Sequence, residues 1–283
     1  MLRSVSLHIL NALLFSSGWL ALAAAAQALA TLALWAPLTS AGYRMAALVL
    51  AATLLVYNLD AVLPFKHLQP AAGSLRKVWQ QQHRRVLAAL ASLAAAVGAG
   101  LVYYDGWLRY AGWLAPLAGL ALLYSWPIWR WRDHWWALRE VPLLKGFLIA
   151  GVWSAVTVGL PVLLRRPPVL LPVEQLFGQR FCLVAALTVV FDIRDLSRDR
   201  AAHLHTLPVW LGQAGAKAVA LALLAGAMAF GLWRGTGPGI LGVTVGLAAA
   251  MVLAAREQRH EYFFALLTDG ILLVPATLYL GLG

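Results

Sequence analysis

Long, almost uninterrupted apolar runs constrain this chain more than any other feature of its sequence. A helix that crosses a bilayer needs about 20 mostly apolar residues. Runs of that kind lie at about 10–34, 44–63, 84–104, 107–125, 142–163, 176–191, 213–233, 238–255 and 262–282. They are rich in Ala and Leu and lack the alternation of period two that marks membrane strands. The expectation is an all-α polytopic membrane protein: a bundle of nine transmembrane helices forming one integral-membrane domain over residues 1–283. Composition agrees, with 62% hydrophobic and 12% charged residues and a mean hydropathy of +0.76, far from a soluble globule. The first run is too long for a removable signal peptide and has Ala21 to Ala26 in its middle. The lone cysteine, Cys182, excludes a disulfide framework and a cysteine metal cluster.

The net charge of +11 invites a nucleic-acid reading, but the basic residues lie in short loops between apolar runs. Sorting alternate loops puts sixteen Lys and Arg on one side and six on the other. By the positive-inside rule the richer side is cytoplasmic. This places the N-terminus inside and the C-terminus outside, as in a bacterial inner membrane, and assigns no role to nucleic acid.

Polar chemistry concentrates in three loops of the basic side. After the second run come Tyr57-Asn58-Leu59-Asp60 and then Lys66, Arg76 and Lys77. After the fourth come Tyr124-Ser125-Trp126-Pro127 and Arg130, within a group of tryptophans at 126, 129, 131, 135 and 136. After the sixth comes Asp192-Ile193-Arg194-Asp195-Leu196-Ser197-Arg198-Asp199-Arg200. On a continuous helix Asp192, Asp195 and Asp199 fall within roughly 60° of one face at about 100° per residue. Crowded carboxylates repel unless something positive lies between them. One reading is a charged loop neutralised by Arg194, Arg198 and Arg200; the other is a divalent-cation site. Magnesium is held by one or two carboxylates plus substrate phosphates, and Lys and Arg take the remaining phosphate oxygens. In a membrane protein such a site suits a lipid diphosphate. The tryptophans read as an interfacial belt or as an aromatic wall facing a cation. Asp269, inside the last run, is a functional group by default or the partner of a neighbouring helix. No spacing of His203 and His205 with the aspartates favours zinc.

With these residues in place, the chain resembles the UbiA superfamily of intramembrane prenyltransferases. That family has nine transmembrane helices and two Asp-rich motifs, after helices two and six, facing the cytoplasm. Asp192, Asp195 and Asp199 match its second motif, DxxDxxxD, and His205-Thr206-Leu207-Pro208 stands where Lys/Arg-Thr-Leu-Pro is usual. Tyr124, Ser125, Pro127 and Arg130 are similar to its tyrosine-centred motif after helix four. In the first motif, similar to NDxxDxxxD, Asn58 is followed by Leu59, Val62 and Lys66 at the expected Asp positions, so Asp60 is the sole carboxylate.

The resemblance implies Mg²⁺ on Asp192, Asp195, Asp199 and Asp60, with Asn58 assisting. It implies a prenyl diphosphate bound by Lys66, Arg76, Arg130, Arg198 and Tyr124, and transfer of the prenyl group to a membrane-soluble acceptor, aromatic or lipid. The depleted first motif leaves two further readings open: a catalytically lapsed protein that binds an isoprenoid or a membrane partner, and a terpene cyclase.

Overall fold

The computed structural model describes residues 2–35, 37–63, 74–131, 134–138, 141, 144–165, 173–202, 204–232 and 238–282. Lys66 lies outside the described residues. Helices α1 (Leu2–Phe15), α2 (Gly18–Ala33) and α3 (Ser40–Val62) are followed by the short α4 (Leu75–Gln82) and by α5 (Arg84–Tyr104). A 3₁₀ turn, Trp107–Tyr110, leads into α6 (Ala111–Leu123). After a hairpin, α7 (Leu144–Ser154) passes through a π-turn, Ala155–Gly159, into α8 (Leu160–Arg165). Then come α9 (Val173–Arg194), α10 (Leu196–Ala201), α11 (Leu207–Leu232) and α12 (Pro238–Ala254). The chain closes with a π-turn, Phe263–Thr268, and α13 (Val274–Leu282).

The apolar runs of the sequence are helical wherever they are described, and among the described residues fewer than the expected nine spans reach the length and hydropathy of a bilayer-crossing helix. Six are long and apolar enough to cross a bilayer, and a seventh is obtained by joining α1 and α2. The run at 238–255 yields a 17-residue helix, and that at 107–125 yields the 3₁₀ turn and a 13-residue helix containing Pro116. Both fall short of the bilayer thickness at 1.5 Å per residue. Seven broken or unbroken apolar helices nevertheless make the chain an integral membrane protein, and α9 is its centre, with 67% of its apolar stretch buried. Small residues allow this. Ala185 and Ala186 on α9 and Ala216, Ala220 and Ala227 on α11 are all buried, so the two backbones approach closely, which is how helices associate where lipid is as apolar as leucine.

Two local departures from helix matter for the site. The first apolar run breaks at Ser16–Ser17, where Ser17 has φ 61° and the helix axis turns by 62°. A break inside a membrane frees backbone carbonyls that must be satisfied by protein. Gln80 Nε2 donates to Phe15 O at 3.0 Å and Asn58 Nδ2 donates to Ser16 O at 3.0 Å. The second departure is the loop after α6, expected to be irregular. Its aromatic residues instead pair as an antiparallel hairpin, β1 (Pro127–Trp131) with β2 (His134–Ala137), in keeping with the strand preference of Trp and Ile.

Candidate functional site at the end of α9

The last turn of α9 carries Asp192 and Arg194. The helix stops at Asp195 (φ −93°, ψ 8°) and resumes as α10, with Asp199 N bonded to Asp195 O at 2.8 Å. The helical face expected for the three aspartates is therefore interrupted at its middle member. Glu257, from beyond α12, accepts from Ser197 N at 2.8 Å and ties α10 to the bundle.

The three carboxylates meet different neighbours. Asp192, 6% exposed, receives a hydrogen bond from Lys145 Nζ on α7, 2.6 Å from Oδ1. Asp195 is gripped by the Arg194 fork, Nε to Oδ1 and Nη2 to Oδ2, both 3.0 Å, with Arg198 Nη1 at 3.3 Å from Oδ1. Although burial acts to raise the Asp195 pKa, these cations and the nearby Lys145 outweigh it and hold the group below the usual carboxylate range. Arg194 also reaches Glu261 Oε1 at 3.3 Å and lies over the rings of Phe191 and Phe264, 5.1 and 5.6 Å from their centroids. Asp199 is 5% exposed and has no ion pair among the described residues. It faces the Thr206 hydroxyl, yet neither its Oδ2 nor Thr206 Oγ1 makes a hydrogen bond of acceptable geometry. Burial, opposed by Lys145 and reinforced by Asp195 and Asp192, pushes the Asp199 pKa up to about 6.

The loop after α3 faces the same region. Tyr57 is within electrostatic range of Asp60, Arg76, Tyr124 and Asp269, and Tyr124 is also within range of Lys145. Tyr124 thus stands between the Asp60 side and the Asp192 side. Arg76 Nη2 donates to Ser17 Oγ at 2.9 Å. Asp269, 7% exposed, follows the π-turn; Arg76 and Arg194 are its cationic neighbours, and among the described residues its carboxylate makes no hydrogen bond. Asn58, 1% exposed, directs its amide to Ser16 O and to Leu54 O at 2.8 Å, so its donors serve the helix break. Arg130 lies on β1 and is exposed. Trp126 is 48% exposed; the other four tryptophan side chains of that group lie outside the description.

Beside Lys145 and Asp192, a cavity of ≈180 Å³ runs between α7, α9 and α11. Lys145, Asp192, His205 and Thr206 line its polar side, and Phe147, Val189, Val219 and Leu223 line the rest. A cationic rim above an apolar slot has the form of a receptacle for a lipid with an anionic head.

Among the described residues, no three His, Cys, Asp or Glu side chains converge to hold a metal ion unaided. The donor chemistry still fits magnesium completed by phosphate: hard carboxylates, one of which, Asp199, keeps a buried oxygen with no partner, and two carboxylates suffice when phosphates supply the rest.

No protein-family model and no curated protein matches the chain. Among solved structures, the chain is similar to the apo structure of a UbiA homolog from Aeropyrum pernix K1. The match has a TM-score of 0.56 and 22% identity, over 92% of this chain and 95% of that one. The chain therefore shares the fold of that protein along nearly its whole length.

Two residues of this site escape a reading of the sequence. Lys145 counts there only as one positive charge among sixteen, although a lysine at the head of an apolar helix is itself a signal. Glu261 carries no motif at all, and only the fold of the last helix brings it to Arg194.

Proposed function

We propose that the chain is a UbiA-type prenyltransferase that moves a prenyl group from a prenyl diphosphate to a membrane-soluble acceptor, aromatic or lipid. The observation that carries this reading is the juxtaposition at the end of α9. Buried Asp192 and the cation Lys145 line the ≈180 Å³ apolar cavity, and buried Asp199 faces Thr206, another of its lining residues. Likeness in fold to the Aeropyrum pernix UbiA homolog supports it. The cytoplasmic side is the proposed side of entry, from the distribution of basic residues.

In this reading Asp192, Asp195, Asp199 and Asp60 would hold Mg²⁺, and Asp195 would have to leave Arg194 to do so. The metal would supply charge neutralisation of the leaving group. The local charge balance argues for such an ion. Among the described residues, Lys145, Arg76, Arg194 and Arg198 face Asp60, Asp192, Asp195, Asp199, Glu261 and Asp269, which leaves an excess of carboxylates when all are ionised. A diphosphate entering alone would be repelled. Lys145 and Arg76 then bind phosphate oxygens and stabilise charge that grows as the C–O bond breaks, with Lys66, Arg130, Arg198 and Tyr124 as further candidates. The prenyl chain lies along Val189, Val219 and Leu223, where water is excluded from the allylic cation. Asn58 positions the first motif by closing the break between α1 and α2.

The pairing of Asp195 with both Arg194 and Arg198 favours a second reading, a protein that keeps the isoprenoid cavity and has lost turnover. Incubation with geranyl, farnesyl or geranylgeranyl diphosphate, Mg²⁺ and a membrane lipid extract, followed by mass spectrometry, separates the cases. An acceptor adduct supports transfer, a cyclised hydrocarbon a cyclase, and unchanged diphosphate the lapsed protein. Asp192→Ala with Asp199→Ala should abolish product while leaving expression intact; unchanged turnover would remove this mechanism.

A further inference from the structure

The half of the bundle away from Asp192 contains a buried charge that the proposed chemistry does not use. Arg180 lies on α9 twelve residues before Asp192, about 18 Å along the helix, and is 7% exposed. Its Nη1 donates to Gln27 Oε1 at 2.7 Å and its Nη2 points to Thr31 Oγ1 at 3.5 Å. Both partners are neutral. Gln27 Oε1 also accepts from Trp153 Nε1 at 2.9 Å, so both of its lone pairs are used, while Gln27 Nε2 donates to Leu272 O at 2.8 Å. A guanidinium has five N–H donors, and these contacts take two.

Among the described residues no carboxylate stands near Arg180; its one charge-sensitive neighbour there is the Tyr279 phenol. The segments that flank this end of α8–α9 and α11–α12, residues 166–172 and 233–237, contain no Asp or Glu. A cavity of ≈20 Å³ lies against the guanidinium, bordered by Gln179, Thr31, Thr244 and Tyr279. That is room for one water or one atom-sized ion. Water would answer the free donors but not the charge, and an uncompensated charge inside a membrane bundle is costly. An anion answers both.

We propose that Arg180 and this cavity form a binding site for one small monovalent anion of halide size. The ion accepts from the Arg180 guanidinium and the Tyr279 hydroxyl, and by neutralising Arg180 it holds α2, α7 and α9 together around Gln27.

The test uses the full chain purified in detergent, with thermal unfolding followed as sodium gluconate is exchanged for chloride or bromide at constant ionic strength. The expected result is a rise of a few degrees in Tm that saturates with chloride and bromide. The rise should be lost in Arg180→Gln and should need more halide in Tyr279→Phe. Should Arg180→Gln fail to fold, crystals of the wild-type protein grown in bromide decide: an anomalous peak beside Arg180 supports the site, and none there refutes it. A Tm without halide dependence in the wild type, an undiminished dependence in Arg180→Gln, or stabilisation by acetate but not chloride would each overturn the proposal.

Discussion

Replacing Lys145 by Met tests the contact on which the site at the end of α9 depends. Two unit charges 2.6 Å apart attract by about 6 kcal/mol at an effective dielectric near 20. Much of this is offset by desolvation, since the Asp192 side chain is 8% exposed and the Lys145 side chain 24%. Removing one member leaves the other carboxylate buried and unpaired, which costs about 3–5 kcal/mol. Lys145→Met should therefore destabilise by about 3 kcal/mol at neutral pH. Asp192→Asn with Lys145→Met should cost about 1 kcal/mol, because no charge is then stranded. The assay is reversible unfolding in mixed micelles for the two single variants and the double. Asp192→Asn alone should cost about 1 kcal/mol, because the more exposed Lys145 can turn towards water, so the expected coupling energy is about 3 kcal/mol; additivity within about 0.5 kcal/mol would refute the argument that these groups neutralise each other. Turnover supplies an independent reading. If Lys145 also meets diphosphate, kcat/KM for prenyl diphosphate falls by at least about tenfold in Lys145→Met and recovers in part in Lys145→Arg.

Three further outcomes are expected. Asp199 titrates near pH 6 in the folded protein against an ordinary 3.8, so its contribution to stability is present below about pH 4 and is lost as pH rises through 6. In metal-free buffer Asp199→Asn should raise Tm at pH 7.5 and abolish this fall; an unchanged pH profile would show that Asp199 is not buried as described. Val219→Trp should fill the cavity between α7, α9 and α11 and shift product from geranylgeranyl towards geranyl chains, read by competition among the diphosphates; an unaltered ratio would place the chain elsewhere. Gln27→Leu should cost about 3 kcal/mol by stranding Arg180, Trp153 Nε1 and the Leu272 carbonyl, and a loss below about 1 kcal/mol would mean that water replaces the amide.

Membrane residence and helical class were legible in the sequence because a bilayer tolerates only segments that satisfy their own backbone. Apolar runs of spanning length therefore leave few alternatives. The aspartate run was legible for a related reason: three carboxylates among eleven in a chain this apolar must sit where something offsets them. The breaks within spans were not legible, since Ser16–Ser17 and the 3₁₀ turn at Trp107–Tyr110 depart from α-helix inside runs that hydropathy treats as continuous.

What offsets each carboxylate was decided by tertiary structure alone. Asp192, Asp195 and Asp199 belong to one motif and read alike, yet Lys145 reaches the first from α7, Arg194 and Arg198 enclose the second, and the third is left buried with an unpartnered oxygen. Asn58 reads as a ligand by its place beside Asp60, whereas packing spends its amide on a broken helix 42 residues earlier in the chain. Arg180 reads as one more loop charge, and only the fold buries it against Gln27 with no carboxylate nearby among the described residues. Charge and hydropathy are properties of a segment; the field at a side chain is set by groups distant in sequence, and those distances exist only once the bundle has closed.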